Sequence, residues 1–248
     1  MLLLQDKVAL ITGAGNPQGI GFAVARMYAR HGAKVALVDL DQDAVDAAAA
    51  TLGDAAIGIA ADVRSPEACA AAVQQVHARW GGLHVLLNCA GVVQSRRTAE
   101  ITREDYDFVL DVNLRGTLQM SQAAIPVLQR GSAIICIASI SGQRGAGFVG
   151  GPHYAASKGA VLALMKSMAR ELGPAGVRVN AVNPGVISTA MNANAFDAQA
   201  TERIVGAIPL ARFGQPDDVA GACLFLASEL SGYMTGTALD VNGGMHIY

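Results

Sequence analysis

The chain has 248 residues, 52% of them hydrophobic and 15% charged, with a formal net charge of −2, so it holds enough apolar material for one large core and does not resemble a disordered chain. No block of Lys and Arg and no apolar run of spanning length occurs, which sets nucleic acid and membrane aside as partners. The apolar start Met1-Leu2-Leu3-Leu4 gives way at once to Gln5, Asp6 and Lys7, too short for a signal sequence, and the expected compartment is the cytoplasm.

Short apolar runs alternate with longer segments of helical period, the pattern of a parallel sheet whose strands return through crossover helices. The strands are expected at Val8 to Thr12, Lys34 to Asp39, Ala56 to Ala61, Val85 to Asn88, Ala133 to Ala138, Val177 to Val182 and Ala238 to Val241. Helices are expected at Gly19 to Arg30, Gln42 to Leu52, Pro66 to Arg79, Arg103 to Gln129, His153 to Leu172 and Pro216 to Leu226. Ser65-Pro66-Glu67 is a strong helix start, combining a capping hydroxyl, a proline suited to the first turn and an acid at the positive end of the dipole. The pattern implies one α/β domain over residues 1–248, a doubly wound, mainly parallel seven-stranded sheet (a Rossmann fold) with helices on both faces.

Between the first strand and first helix lies Thr12-Gly13-Ala14-Gly15-Asn16-Pro17-Gln18-Gly19-Ile20-Gly21, a glycine-rich turn that brings a pyrophosphate to helix amides and the positive dipole end. Asp39 closes the second strand, where a carboxylate accepts hydrogen bonds from an adenosine ribose. The same carboxylate repels the 2′-phosphate of NADP, and Leu40 beside it offers no compensating cation, so NAD is the preferred cofactor over NADP.

Tyr154 and Lys158 stand four residues apart, on one face of an expected helix. A free tyrosine, with a pKa of about 10, is a poor base at neutral pH, and a nearby ammonium favours its phenolate. The cysteines Cys69, Cys89, Cys136 and Cys223 are widely separated with no Cys-x-x-Cys pair, and His246 has no clustered partner, so neither a metal site nor a disulfide framework is expected.

These motifs, together with Asp62-Val63, Asn88-Cys89-Ala90-Gly91, Asn113, Ser139 and Asn183-Pro184-Gly185 with Thr189, resemble the short-chain dehydrogenase/reductase family along nearly the whole chain. The resemblance implies a catalytic set of Asn113, holding a water in a proton relay, Ser139, orienting the substrate oxygen, Tyr154, transferring its proton, and Lys158, binding ribose and tuning Tyr154. It implies a cofactor site of Gly13, Asn16, Gln18, Gly19, Ile20, Asp39, Leu40, Asp62, Val63, Asn88, Ala90, Gly91, Tyr154, Lys158, Pro184, Gly185, Ile187 and Thr189. The family also implies a homotetramer, one interface on the helices around 103–129 and 153–172 and another at the C-terminal strand.

Two features depart from the family pattern. The phosphate loop is two residues longer than usual through Asn16-Pro17-Gln18, leaving its contacting amides open. Ser139 and Ser141 both precede Tyr154 closely; Gly142 favours Ser139, at the strand end, and leaves Ser141 as a pocket residue. Substrate choice is expected to reside in loops 141–153 and 186–209. There Gln143, Arg144, His153 and Met191 read equally as pocket or as solvated residues, and Asn192-Ala193-Asn194 as part of a lid. The expected activity is NAD-dependent interconversion of a secondary alcohol (a polyol, sugar or hydroxy compound) and its ketone. The alternatives are an NADPH-dependent 3-oxoacyl-thioester reductase and a dinucleotide-binding sensor or scaffold without turnover.

Overall fold

A computed structural model describes residues 2–190 and 196–247. Seven strands form one sheet: β1 (Val8–Thr12), β2 (Lys34–Asp39), β3 (Ala56–Ala60), β4 (Leu83–Asn88), β5 (Leu128–Ile137), β6 (Arg178–Pro184) and β7 (Ala238–Val241). Their spatial order is β3-β2-β1-β4-β5-β6-β7, and every neighbouring pair is parallel. The order reverses between β1 and β4, which opens a crevice at the carboxyl ends of the strands.

Successive strand residues feed opposite faces of the sheet. Ile11, Leu37, Leu87 and Ile135 pack on one side with Val24 and Tyr28 of α1 (Ile20–Arg30) and Val219 and Leu226 of α9 (Pro216–Ala227). On the other, Leu10, Val38, Leu86 and Ile134 meet Val73 of α3 (Pro66–Trp80), Met120 of α5 (Gly116–Ala124), and Val161 and Met165 of α7 (Pro152–Leu172). Because both faces are covered, all five residues of β1 are buried, each large aliphatic contributing about 1.5–3 kcal/mol by leaving water. Tyr28 keeps its hydroxyl satisfied inside this core by donating to the Cys223 carbonyl at 3.0 Å.

A third, smaller cluster stands apart from these two. Val186, Ile204 and Ile208 are buried there against Phe148, Val149, Phe196, Phe213 and Met245. It joins the loop before α7, the helix α8 (Ala198–Gly206) and the C-terminal segment.

The remaining helices are α2 (Gln42–Ala50), α4 (Arg103–Leu110) and the one-turn α6 (Ser141–Arg144). The expected continuous helix from Arg103 to Gln129 is instead α4, a π turn over Asp111–Arg115, α5 and a 3-10 turn at Ile125–Val127 containing Pro126. Its last residues belong to β5, which begins at Leu128 because that residue already pairs with Leu83 ahead of a register shift. Neither α6 nor α8 is among the expected helices; both lie within the segments expected as substrate loops. Ser65 does cap α3, its hydroxyl accepting from Ala68 N at 3.1 Å.

Candidate functional site

One cleft of about 390 Å³ runs across the carboxyl ends of the strands. The loops after β1, β2, β4, β5 and β6 each contribute to it. At one end are Gly13, Asn16, Gly19, Ile20, Asp39, Leu40, Asp62 and Val63; at the other are Ser139, Tyr154, Lys158, Pro184, Gly185, Ile187 and Thr189, with Ala90 and Gly91 between. Gln18, Asn88 and Asn113 are not on its wall. Asn88 faces the core and donates to Ser121 Oγ at 3.0 Å, and Gln18 is exposed on the loop. Met191 and Asn192-Ala193-Asn194 lie outside the described residues.

The strand-to-helix turn is organised by Thr12. Its hydroxyl accepts from the amides of Cys89 and Ala90, both at 3.0 Å, fastening the loop after β4 to the end of β1. Gly13 then turns with φ +69°, and a Cβ there would stand 2.8 Å from Ala90 Cα, so only glycine fits. The two extra loop residues close on themselves: Asn16 Oδ1 accepts from Gln18 N and the Asn16 carbonyl from Gly19 N, each at 2.9 Å. Two loop amides are thereby used internally. The start of α1, at Gly19 and Ile20, lies on the cleft, while the Gly21 amide is hydrogen-bonded to the Cys89 sulfur.

Asp39 is held in place by two backbone donors, Gly15 N at 2.9 Å and Leu40 N at 2.8 Å, one to each carboxylate oxygen. Asp62 forms a side-on pair with Arg64, whose Nη2 lies 2.6 Å from Oδ2, and this guanidinium holds the carboxyl below its ordinary range. A glycine-lined turn, a helix start and a fixed carboxylate at the end of β2 fit an extended dinucleotide.

At the other end, Ser139 Oγ accepts from Ser141 N at 3.1 Å, which orients its own proton away from that amide. Ser139 stands close enough to Tyr154 to favour its phenolate. Ser141 also lines the cleft but starts α6, one step beyond this pair. A Cβ on Gly142 would lie 2.7 Å from the Lys158 carbonyl carbon, so α6 meets α7 backbone to backbone and carries Ser139 to the Tyr154 face.

Lys158 is buried, with Nζ donating to the Ile137 carbonyl at 2.8 Å and standing 6.0 Å from the Tyr154 ring centre. Burial lowers its pKa to about 8. Burial also raises Tyr154 above its ordinary value, and the Ser139 hydroxyl offsets only part of that. The lowering of Tyr154 that the Tyr/Lys spacing predicts is therefore not produced by the protein alone, because burial disfavours the phenolate. Asn113, in the π turn, is 1% exposed and sits behind the wall. Its Oδ1 accepts from Val92 N at 2.8 Å, and its Nδ2 donates to the Val92 carbonyl and to Ser157 Oγ, both at 3.0 Å. It braces the loop beside Gly91 against α7.

The desolvated Lys158 charge carries a stability cost. The depression from 10.5 to about 8 corresponds to roughly 3 kcal/mol, paid in full below pH 8, where the lysine is charged both folded and unfolded. Without cofactor, Lys158→Met is expected to raise Tm by about 4–8 °C at pH 7, after allowance for the lost carbonyl hydrogen bond. The gap should shrink as pH rises through 8 towards 10.5, where the unfolded lysine also becomes neutral. Scanning fluorimetry from pH 7 to 10.5 measures this; a gap that widens with pH contradicts the assignment.

Burial pushes the thiols of Cys89 and Cys136 up to about 12 and that of Cys69 to about 11, so these thiols are inert as nucleophiles. Among the described residues, no group of three or more His, Cys, Asp or Glu is placed to hold a metal, and no helix is long and apolar enough to cross a membrane.

Comparison with known proteins adds four findings. The family model described as enoyl-(acyl carrier protein) reductase matches residues 13–246. An uncharacterised short-chain type dehydrogenase/reductase of Sinorhizobium fredii is 44% identical over the full length of both chains, and human (3R)-3-hydroxyacyl-CoA dehydrogenase is 40% identical over 98% of this chain and 96% of its own. The crystal structure of a short-chain dehydrogenase/reductase titled glucose/ribitol dehydrogenase, from Brucella melitensis, superposes with a TM-score of 0.91 at 33% identity, covering 100% of this chain and 99% of the other.

Proposed function

Since the chain belongs to the short-chain dehydrogenase/reductase family, an NAD(P)-dependent oxidoreductase family acting on CH–OH groups, we propose that it interconverts a secondary alcohol and its ketone with NAD as the cofactor. The observation that carries this reading is the convergence of Ser139, Tyr154 and Lys158 in the same cleft as Asp39 and the glycine turn.

Bound NAD+ supplies the hydride acceptor, so that alcohol and NAD+ become ketone, NADH and a proton. Ser139 Oγ hydrogen-bonds the reacting oxygen, with Ser141 N fixing the hydroxyl's direction. Tyr154 Oη takes the alcohol proton during oxidation and returns one during reduction. Lys158 Nζ, anchored on the Ile137 carbonyl, presents its remaining donors to the cofactor ribose. Asn113 acts through position, holding the Val92 loop and Ser157. Asp39 selects the unphosphorylated ribose. The active particle in this reading is a homotetramer built on the α4–α5 and α7 faces and the β7 edge.

The test is initial-rate absorbance at the nicotinamide band with NAD and NADP in parallel, over polyols, sugars, secondary alcohols and 3-oxoacyl thioesters, in both directions. NAD-linked turnover of a secondary alcohol is the expected result. Turnover only with NADPH on an oxoacyl thioester overturns the use made of Asp39, and tight NAD binding without turnover on any compound replaces the enzyme by a sensor.

A further inference from the structure

The charges on the cleft wall are unevenly placed. Its acids are Asp39 and Asp62, both at the dinucleotide end, the first fixed by two amides and the second by Arg64. At the end that holds Ser139, Ser141, Tyr154, Lys158 and Thr189, much of the remaining wall is apolar, with Ile140, Phe148, Val149, Val186 and Met245, and it carries one guanidinium, that of Arg144. The sequence agrees: Arg144 is the only Asp, Glu, Lys or Arg from 141 to 152, and there is none from 186 to 196.

Arg144 ends α6, three residues after Ser141 and so about 4.5 Å further along the helix axis. Its Nη1 donates to the Met245 carbonyl at 3.1 Å, which steadies the guanidinium without neutralising it. It forms no ion pair among the described residues. Four of its five N–H donors remain. Arg203, equally without an ion pair there, rests over the Phe148 ring at 5.9 Å, behind the cleft wall rather than on it.

A polyol fits such a wall badly, since each hydroxyl set against Phe148, Val149 or Val186 gives up water for no partner. An apolar body ending in an anion uses both features, because a planar fork pairs with a carboxylate or phosphate through two parallel hydrogen bonds.

The geometry points to Arg144 as an anion-binding residue of the substrate site, and to a hydroxy or oxo compound with an apolar body and an anionic group as the substrate class. This inference rests on the reading of the cleft as an alcohol dehydrogenase site. The anion has two chemical sources, a free carboxylate or the phosphates of an acyl-carrier thioester.

Three forms of one skeleton separate them: 3-hydroxyhexanoate, its uncharged methyl ester and its coenzyme A thioester, each assayed with NAD on the wild type and on Arg144→Ala, with thermal unfolding confirming that the variant folds. The expected result is a kcat/KM for an anionic form about tenfold or more above that of the ester, an advantage that Arg144→Ala removes and Arg144→Lys restores in part. An advantage for the acid identifies a free carboxylate, and one for the thioester alone identifies the phosphates. Equal turnover of all three forms, or an advantage that survives Arg144→Ala, overturns the proposal. Should none turn over, the dehydrogenase reading is decided by the wider panel of alcohols above, and the anion site by calorimetric binding of hexanoate against methyl hexanoate, with and without NADH. A preference for hexanoate lost in Arg144→Ala supports the anion site, and the lack of a preference overturns it.

Discussion

Tyr154→Phe is expected to lower kcat by about 10²–10⁴-fold, the range for removing a positioned acid–base group, while leaving the Kd for NAD nearly unchanged. The substitution deletes one oxygen and little else. The ring remains against Gly150, where a Cβ on that glycine would come within 2.9 Å of Tyr154 Cγ, and Lys158 keeps its bond to the Ile137 carbonyl. Ser139 loses a phenolic neighbour but retains the Ser141 amide. Fluorescence titration with NAD beside steady-state kinetics separates the two effects. NAD affinity falling in parallel with turnover would remove Tyr154 from proton transfer and make it a binding residue.

Asp39→Asn is expected to lower the ratio of kcat/KM for NAD to that for NADP by roughly 100-fold. Two unit charges about 4 Å apart interact by about 4 kcal/mol near a protein surface, and the partial exposure of Asp39 reduces this to between 2 and 3. Asparagine keeps an oxygen for the Gly15 or Leu40 amide, so the loop loses the charge with little loss of shape. Parallel assays with both cofactors read the ratio directly. An unchanged ratio would mean that the carboxylate serves the Gly15 turn alone.

The sheet was legible because its strands are buried on both faces and therefore read as continuous apolar runs, β1 being the extreme case. Tyr154, Lys158 and Ser139 converge in the cleft as their spacing and the family motif imply. The π turn was not legible, since Asp111-Val112-Asn113-Leu114-Arg115 continues the composition of the helices on either side. What sets it apart is the contact of Asn113 with Val92, 21 residues away in the chain. The α8 helix has a cap, Asp197 accepting from Ala200 N, but buries only Ile204, and one inward residue makes a faint period. Asn88 shows the limit of motif transfer: its place in the Asn-Cys-Ala-Gly run suggests the cofactor wall, yet the alternation of β4 turns it to Ser121. The upward shift of Tyr154 depends on how much protein surrounds the phenol, which spacing along a helix does not contain.

The separateness of the cluster around Val186, Ile204 and Ile208 has a thermodynamic consequence. It shares no buried residue with the two large cores on either side of the sheet. Parting it exposes three buried aliphatics and a few half-buried side chains but no strand of the sheet, so the free energy of opening there is a small fraction of that for global unfolding. Local opening of this cluster and melting of the sheet thus belong to different cooperative units, and mutations that loosen the former can leave the latter untouched.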